Sequence, residues 1–176
     1  MADHRVTLTT PWVDQWVPDF IGTLMFVRRA DEVLLIHKKT GHGAGRINAP
    51  GGKLERGEGV VAGACRETLE EVGLTVTQAR VAAELRFVEL NGPQWLGFAL
   101  LANHYAGEEV ETREARPFWC PIAEIPYTDM WADDVLWLPA LLRSTHTQPM
   151  VGNFLFDQGC LLEHRFDECE SVWSQL

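Results

Sequence analysis

Residues Gly52–Leu74 read GKLERGEGVVAGACRETLEEVGL, and the spacing of their charges decides both fold and chemistry. Gly52 is followed after five residues by Glu58, and after seven more by Arg66-Glu67-Thr68-Leu69-Glu70-Glu71-Val72-Gly73-Leu74. Glu67, Glu70 and Glu71 stand at i, i+3 and i+4, so a helix turns all three to one face. Like charges at that spacing destabilise a helix by roughly 0.2–0.5 kcal/mol per pair. A hard divalent cation that takes oxygen ligands, Mg²⁺ above all, offsets the repulsion. A glutamate cluster alone is usually a solvated helix face.

The local pattern places these groups. Gly51-Gly52 lets the backbone pass tightly and turn a carbonyl toward an ion, which a Cβ would obstruct. The spacing predicts a helix over 60–72, with Val61, Ala64 or Cys65, and Leu69 on its inner face. Gly73 is expected to end it as a left-handed C′ residue. Gly63 inside the helix costs on the order of 1 kcal/mol against Ala, and the sequence offers no reason for it.

Composition bounds the alternatives. The 176 residues suit one domain with a proper core. A hydrophobic fraction of 46% and seven tryptophans argue for a packed protein rather than a disordered one. No apolar run approaches the ~18 residues of a membrane span, and MADHRVTLTTPWVDQW lacks the basic and apolar regions of a signal peptide. Cys65, Cys120, Cys160 and Cys169 show no metal spacing and read as reduced thiols of a cytoplasmic protein. A net charge of −10 disfavours binding a long nucleic acid. It permits a small phosphorylated ligand, because a bound cation reverses the local sign.

Residues 1–20 read as an aromatic arm carrying Trp12, Trp16 and Phe20, packed on its own domain or forming a dimer contact. Ile21–Val27 and Glu32–His37 read as a strand hairpin. The segment 38–50, KKTGHGAGRINAP, is a glycine-rich loop without the Lys-Ser/Thr ending of a P-loop. Beyond the helix come strands at Val81–Leu90, Leu96–Tyr105 and Phe118–Cys120. A second helix follows, capped by Asp133 or Asp134, with Leu136 and Ala140 inward and Pro139 bending it or shortening its hydrogen-bond ladder. Asn153–Phe156 and Cys160–Phe166 close as a hairpin. This order predicts an α/β protein, an α/β/α sandwich around a mixed β-sheet, with residues 21–176 as a single domain.

The stretch 52–74 resembles the signature box of the Nudix hydrolases, departing only at Thr68, where that family usually has an aliphatic residue; slightly looser packing is expected there. The resemblance implies the same sandwich fold and the hydrolysis of a nucleoside diphosphate linked to another group. It implies that Glu67, Glu70 and Glu71 with the Gly51 carbonyl hold Mg²⁺, with Mn²⁺ as a substitute. Arg66 would orient the carboxylates and Glu58 would hold Arg66. Glu71, or else Glu67, would be the general base, since relatives differ in this assignment. Glu114 sits where relatives place an outlying carboxylate that ligates metal or acts as base.

LLIHKKTGHGAGRINAPGGK, ARPFWCPIAEIPYTDMWADDVLWLPALL and FLFDQG extend the likeness to the animal MutT-homologue branch of the family, from about Gly22 to Phe166. That branch hydrolyses oxidised purine nucleoside triphosphates such as 8-oxo-dGTP. Its purine pocket corresponds here to Trp131, Asp133, Asp134, Asn48, Phe87 and Leu96, with Thr23, Lys38, Gly51, Gly52 and Lys53 near the nucleotide. Trp131 alone would read as a core tryptophan and Asp133 as a helix cap. Two adjacent aspartates in a dry pocket, however, leave one protonated, and such a pair both donates and accepts. His42, Ile47 and Pro50 replace aromatic residues of the branch, and Glu89 replaces a pocket phenylalanine. The expected partner is a small nucleotide, with the protein a monomer or homodimer. Competing readings are a broader Nudix enzyme acting on ordinary (d)NTPs, ADP-ribose or 5′-triphosphate RNA, and a non-catalytic nucleotide-binding module.

Overall fold

A computed structural model describes Leu8, residues 16–143 and residues 148–167. Among these residues ten strands and two α-helices form: β1 (Phe20–Arg29), β2 (Glu32–Lys38), β3 (Ile47–Asn48), α1 (Val60–Val72), β4 (Thr75–Thr77), β5 (Arg80–Glu89), β6 (Trp95–Ala102), β7 (His104–Ala106), β8 (Ala115–Pro121), α2 (Asp134–Arg143), β9 (Met150–Asp157) and β10 (Cys160–Asp167). The predicted elements keep their order, but the short strands Ile47–Asn48 and Thr75–Thr77 were not expected and the predicted Leu96–Tyr105 strand is broken at Asn103. The main sheet runs β10-β9-β5-β6-β1-β2-β3, with β8 on β2, and β4 pairs with β7 separately. It is mixed: β1 lies parallel to β6 and β5 parallel to β9, while the other neighbours are antiparallel.

Alternation along the strands builds two cores. Phe26 of β1 joins Leu85, Ala99, Phe154 and the α2 residues Trp137, Leu138, Leu141 and Leu142. Met25 and Val27, one position either side, join Phe98, Leu100 and the α1 residues Val60, Ala64 and Val72. Successive strand side chains point to opposite faces, so each helix covers one face of the sheet, as the sandwich requires. The β1–β2 hairpin is short: only Arg28↔Val33 and Arg29↔Glu32 pair, because β1 then follows β6 and β2 follows β8. The β9–β10 hairpin turns on Gln158 and Gly159, both at positive φ.

Helix α1 has the predicted bounds, and Gly73 ends it at φ 76° with its N–H on the Leu69 carbonyl. Its inner face differs from expectation. Val60, Gly63, Ala64, Thr68 and Val72 are buried, while Val61 and Leu69 are exposed. Hydrophobicity alone assigned those two inward, but Gly63 is the position that lies against Leu54 and Glu58 of the loop before the helix. A Cβ at Gly63 would collide with Leu54 and approach Glu58 Oε2 at 2.9 Å, which explains the glycine. Thr68 packs fully buried, its hydroxyl donating to the Ala64 carbonyl at 2.7 Å, so the departure at this position leaves no looseness. In α2, Trp137 and Leu138 point inward, whereas Ala140 is exposed and Leu136 half-buried.

From the N-terminal segment, Leu8 is buried against Val88 and Leu155, with Trp16 packed beside them. Trp16 Nε1 donates to Gln94 Oε1 at 2.9 Å. Phe20 belongs to β1 rather than to an arm. Trp12 and Cys169 lie outside the described residues, among which Cys65, Cys120 and Cys160 are free thiols. No helix there is long and apolar enough to cross a membrane.

Candidate active site

The segment Pro50–Lys53 lies against β1, and its glycines are set by contact. Met25 N–H donates to the Pro50 carbonyl and Thr23 N–H to the Gly52 carbonyl, both at 2.8 Å. These bonds use the carbonyls on either side of Gly51. A Cβ on Gly51 would run into the Thr23 carbonyl, and one on Gly52 would sit 2.5 Å from Glu67 Oε2. Only glycine permits so close a backbone approach. Gly51 N–H in turn donates to Glu71 Oε2 at 2.9 Å.

Arg66 is the hub of the acidic face. It grips Glu58 bidentately, Nε to Oε1 and Nη2 to Oε2 both at 2.8 Å. Its Nη1 reaches Glu67 at 2.9 Å and Glu70 at 3.1 Å. The bond to Arg66, with the neighbouring Glu55 N–H, holds the Glu58 carboxyl down at about 2. Glu67 is instead pushed up, first by burial and further by Glu71 and Glu70, against the pull of Arg66. Glu71 is buried, 2% exposed, and pairs with the Lys38 ammonium.

Among the described residues no group of three or more His, Cys, Asp or Glu is arranged as a metal cage. Glu67 and Glu70 turn to Arg66, and Glu71 turns to Lys38 and Gly51. The expected convergence of all three is therefore not present in this arrangement. Glu114 is exposed, and its loop is tied to α1 through the Thr112 hydroxyl, which donates to the Glu71 carbonyl at 2.9 Å. The chemistry of the donors, the carboxylate oxygens of Glu67, Glu70 and Glu71, suits a hard divalent cation, and Glu67 is raised in part by its neighbours' charge.

Beside this face opens a cavity of about 370 Å³. Thr23, Lys38, Asn48, Gly51, Gly52, Lys53, Phe87, Trp131, Asp133 and Asp134, all named from the sequence as candidates, line it. Leu96 does not. It is buried in the α1-side core, while Trp95 and Gly97 face the cavity. A shift of one residue along a strand changes the face, and resemblance located the strand without its phase. Thr23 Oγ1 is buried without a hydrogen-bond partner, an orphan that a ligand in this cavity could satisfy. Asn48 Oδ1 accepts from Ala49 N–H at 2.9 Å, which fixes the amide's orientation.

Asp133 and Asp134 are both nearly inaccessible, at 3% and 2%. They are used differently from a helix cap: Asp133 accepts from Trp137 Nε1 at 2.9 Å and Asp134 from Trp131 N–H at 3.0 Å. Burial raises both carboxyls above the ordinary range, and Asp133's charge raises Asp134 further. Because the folded protein holds these protons more tightly than the unfolded chain, its stability falls as pH rises above the unfolded value near 4. The loss levels off once pH exceeds the raised folded value. Asp134→Asn keeps the acceptor for Trp131 and removes that penalty. Its melting temperature should therefore exceed wild type at pH 7 and above, with the advantage gone below pH about 4. Thermal unfolding across that range would show a pH-independent difference if Asp134 were an ordinary ionised carboxylate.

Among the lining residues, sequence reasoning did not single out Trp95, and it placed His42 and Glu89 at the pocket without assigning them a role. Trp95 lay just outside the recognised strand positions. His42, noted only as a departure, stacks on both Trp95 and Trp131, and partial burial with the charges of Lys53 and Lys38 lowers its pKa. Glu89 accepts from Gln158 N–H at 2.9 Å and Gly159 N–H at 3.3 Å, so it fastens the β9–β10 turn to the cavity rim.

An acidic helix, a close glycine approach and an adjoining cavity of about 370 Å³ meet at this site. The NUDIX domain model matches residues 19–141, and the chain belongs to the Nudix family of hydrolases. Such enzymes generally use divalent cations. The chain is 38% identical to the oxidized purine nucleoside triphosphate hydrolase of Danio rerio over 152 residues, covering 85% of this chain and 96% of that protein. The Mus musculus protein of the same name is also 38% identical, covering 85% and 95%. Among solved structures, a MutT protein from Bacillus halodurans superposes with a TM-score of 0.72 at 27% identity, covering 84% of this chain and 97% of that one.

Proposed function

We propose that the chain is a Mg²⁺-dependent hydrolase of oxidised purine nucleoside triphosphates such as 8-oxo-dGTP, releasing the monophosphate and pyrophosphate. The observation that carries this reading is the buried Asp133–Asp134 pair beside Trp131 and Asn48, in a cavity that opens onto Lys38, Gly51 and Gly52. One carboxyl of the pair keeps its proton, so together they donate to and accept from an altered purine edge. The names of the Danio rerio and Mus musculus relatives support the same substrate class.

Glu67, Glu70, Glu71 and the Gly51 carbonyl would hold the cation, whose charge would offset that of the attacked phosphoryl group and favour ionisation of a water. Arg66 keeps Glu67 and Glu70 on one side of α1 through its paired bonds. Glu58 in turn fixes the guanidinium. Glu71 is the first candidate for taking the proton of the attacking water, with Glu67 second. Lys38 and Lys53 line the cavity and supply positive charge toward a polyphosphate.

The decisive assay compares kcat/KM for 8-oxo-dGTP, 2-oxo-dATP, dGTP, ADP-ribose and 5′-triphosphate RNA. Oxidised purine triphosphates should lead. A lead by ADP-ribose or RNA would overturn the substrate assignment and leave a Nudix hydrolase of another specificity. Trp131→Ala should weaken every purine by about 1–3 kcal/mol, the worth of a lost aromatic stack, with metal dependence intact. Wild-type KM values in that variant would make Trp131 a structural residue only.

A further inference from the structure

Between two tryptophans of the cavity wall lies an imidazole of the chain itself. The His42 ring stacks on Trp95 at 4.8 Å between centroids and 19° between planes, and on Trp131 at 5.1 Å and 18°. Both separations fall in the range where aromatic rings attract as stacked pairs. The two indoles thus present near-parallel faces to one flat, intervening ring. Phe20 packs on Trp95 at 4.8 Å, and Lys53 Nζ stands 5.0 Å from the Trp95 ring. Arg46 lies 4.3 Å over Trp131 and donates to the Met130 carbonyl at 3.0 Å. Both walls are therefore braced.

The ring between them is not. His42 sits in Gly41-His42-Gly43-Ala44-Gly45, where Gly41, Gly43 and Gly45 have φ of 73°, 82° and 88°. The neck of the loop is held by Lys38 N–H to the Arg46 carbonyl at 3.0 Å and Gly45 N–H to the Lys38 carbonyl at 2.8 Å. At Gly41 and Gly45 an added Cβ would meet nothing within 4 Å. At Gly43 an added Cβ would lie 3.5 Å from Trp131, so moving the tip about its neck gives up that contact together with the two ring stacks. On the cavity side, Asn48, Asp133 and Asp134 supply the polar groups that a base edge needs.

We propose that Trp95 and Trp131 are the two walls of the base seat, and that His42 is a stand-in which the substrate's base displaces. The proposal rests on the purine-nucleotide reading of the same cavity and adds Trp95 as its second stacking residue. It has a signed consequence. A ring that must be expelled reduces apparent affinity by the fraction of molecules in which the seat is closed. Removing the ring should then tighten binding, whereas removing a fixed wall would loosen it.

The experiment uses the whole chain without metal, so that no turnover intervenes, and titrates 8-oxo-dGMP, dGMP and AMP separately. Kd is read from tryptophan fluorescence, and the His42 ring protons are followed by NMR. In the free protein these protons should be shifted upfield by the flanking indoles, and the shift should vanish on saturation with nucleotide. His42→Ala should tighten binding by about tenfold, the combined worth of two modest aromatic contacts. His42→Phe, which restores a ring on the same loop, should bring Kd back to wild type or above it. Trp95→Leu should weaken binding. Retention of the upfield shift in the complex, or weaker binding by His42→Ala with rescue by His42→Phe, would overturn the proposal and make His42 a fixed wall. Tighter binding of dGMP or AMP than of 8-oxo-dGMP would instead count against the oxidised-purine reading alone, because any of the three rings can displace the imidazole.

Discussion

Glu71→Gln should lower kcat by about 10²–10⁴-fold, the usual cost of losing a positioned acid–base group, while nucleotide affinity stays close to wild type. The physical basis is the position of this side chain. Glu71 is 2% exposed at the end of α1, with one oxygen on Gly51 N–H and the other on Lys38. A glutamine preserves the shape and the acceptor for Gly51 but carries no charge for a cation and takes no proton from water. The Asp133–Asp134 cavity wall lies on a different element and is untouched by the change. Single-turnover rates and metal-free binding of 8-oxo-dGMP separate the two effects. An unchanged kcat would remove Glu71 from the chemistry and move the base assignment to Glu67.

The second large effect concerns a residue with no side chain. Gly51→Ala should unfold a large fraction of the protein or destabilise it by about 3 kcal/mol, the upper range for overpacking. An added Cβ meets the Thr23 carbonyl oxygen and comes within 2.8 Å of the Thr23 carbonyl carbon and 3.0 Å of Leu24 Cα. All three atoms are backbone of β1, a strand locked in eight-residue parallel register with β6. No side-chain rotation relieves such a contact, so either the 50–53 segment lifts from the strand or β1 shifts. Both outcomes displace the Gly51 N–H that holds Glu71. Urea denaturation should therefore show a lower midpoint together with lost activity. A variant with wild-type stability would mean that the segment lies farther from β1 than the structure places it.

Much of the site is legible in the sequence because its chemistry is local along the chain. Glu58, Arg66, Glu67, Glu70 and Glu71 lie within one loop and one helix, and helical geometry alone puts Arg66 in reach of Glu70. Gly73 at the helix end follows from the same periodicity. The cavity is legible through resemblance at ten positions and fails at Leu96, where a strand's phase decides which side chain faces inward. The inner face of α1 fails for a related reason. Val61 and Leu69 are the more hydrophobic residues, yet Gly63 and Thr68 are the buried ones, Gly63 because Leu54 passes over it.

By itself the sequence determined the box helix, its acidic face, the order of strands and the Nudix class, since each depends on spacing within a short segment. Tertiary structure alone decided what meets across long separations. It paired Lys38 with Glu71, turned Trp95 rather than Leu96 into the cavity, and laid His42 between two tryptophans 53 and 89 residues farther along the chain. Such contacts depend on strand phase and on how a glycine-rich loop folds back over the sheet. Neither leaves a periodic signal in the residues themselves.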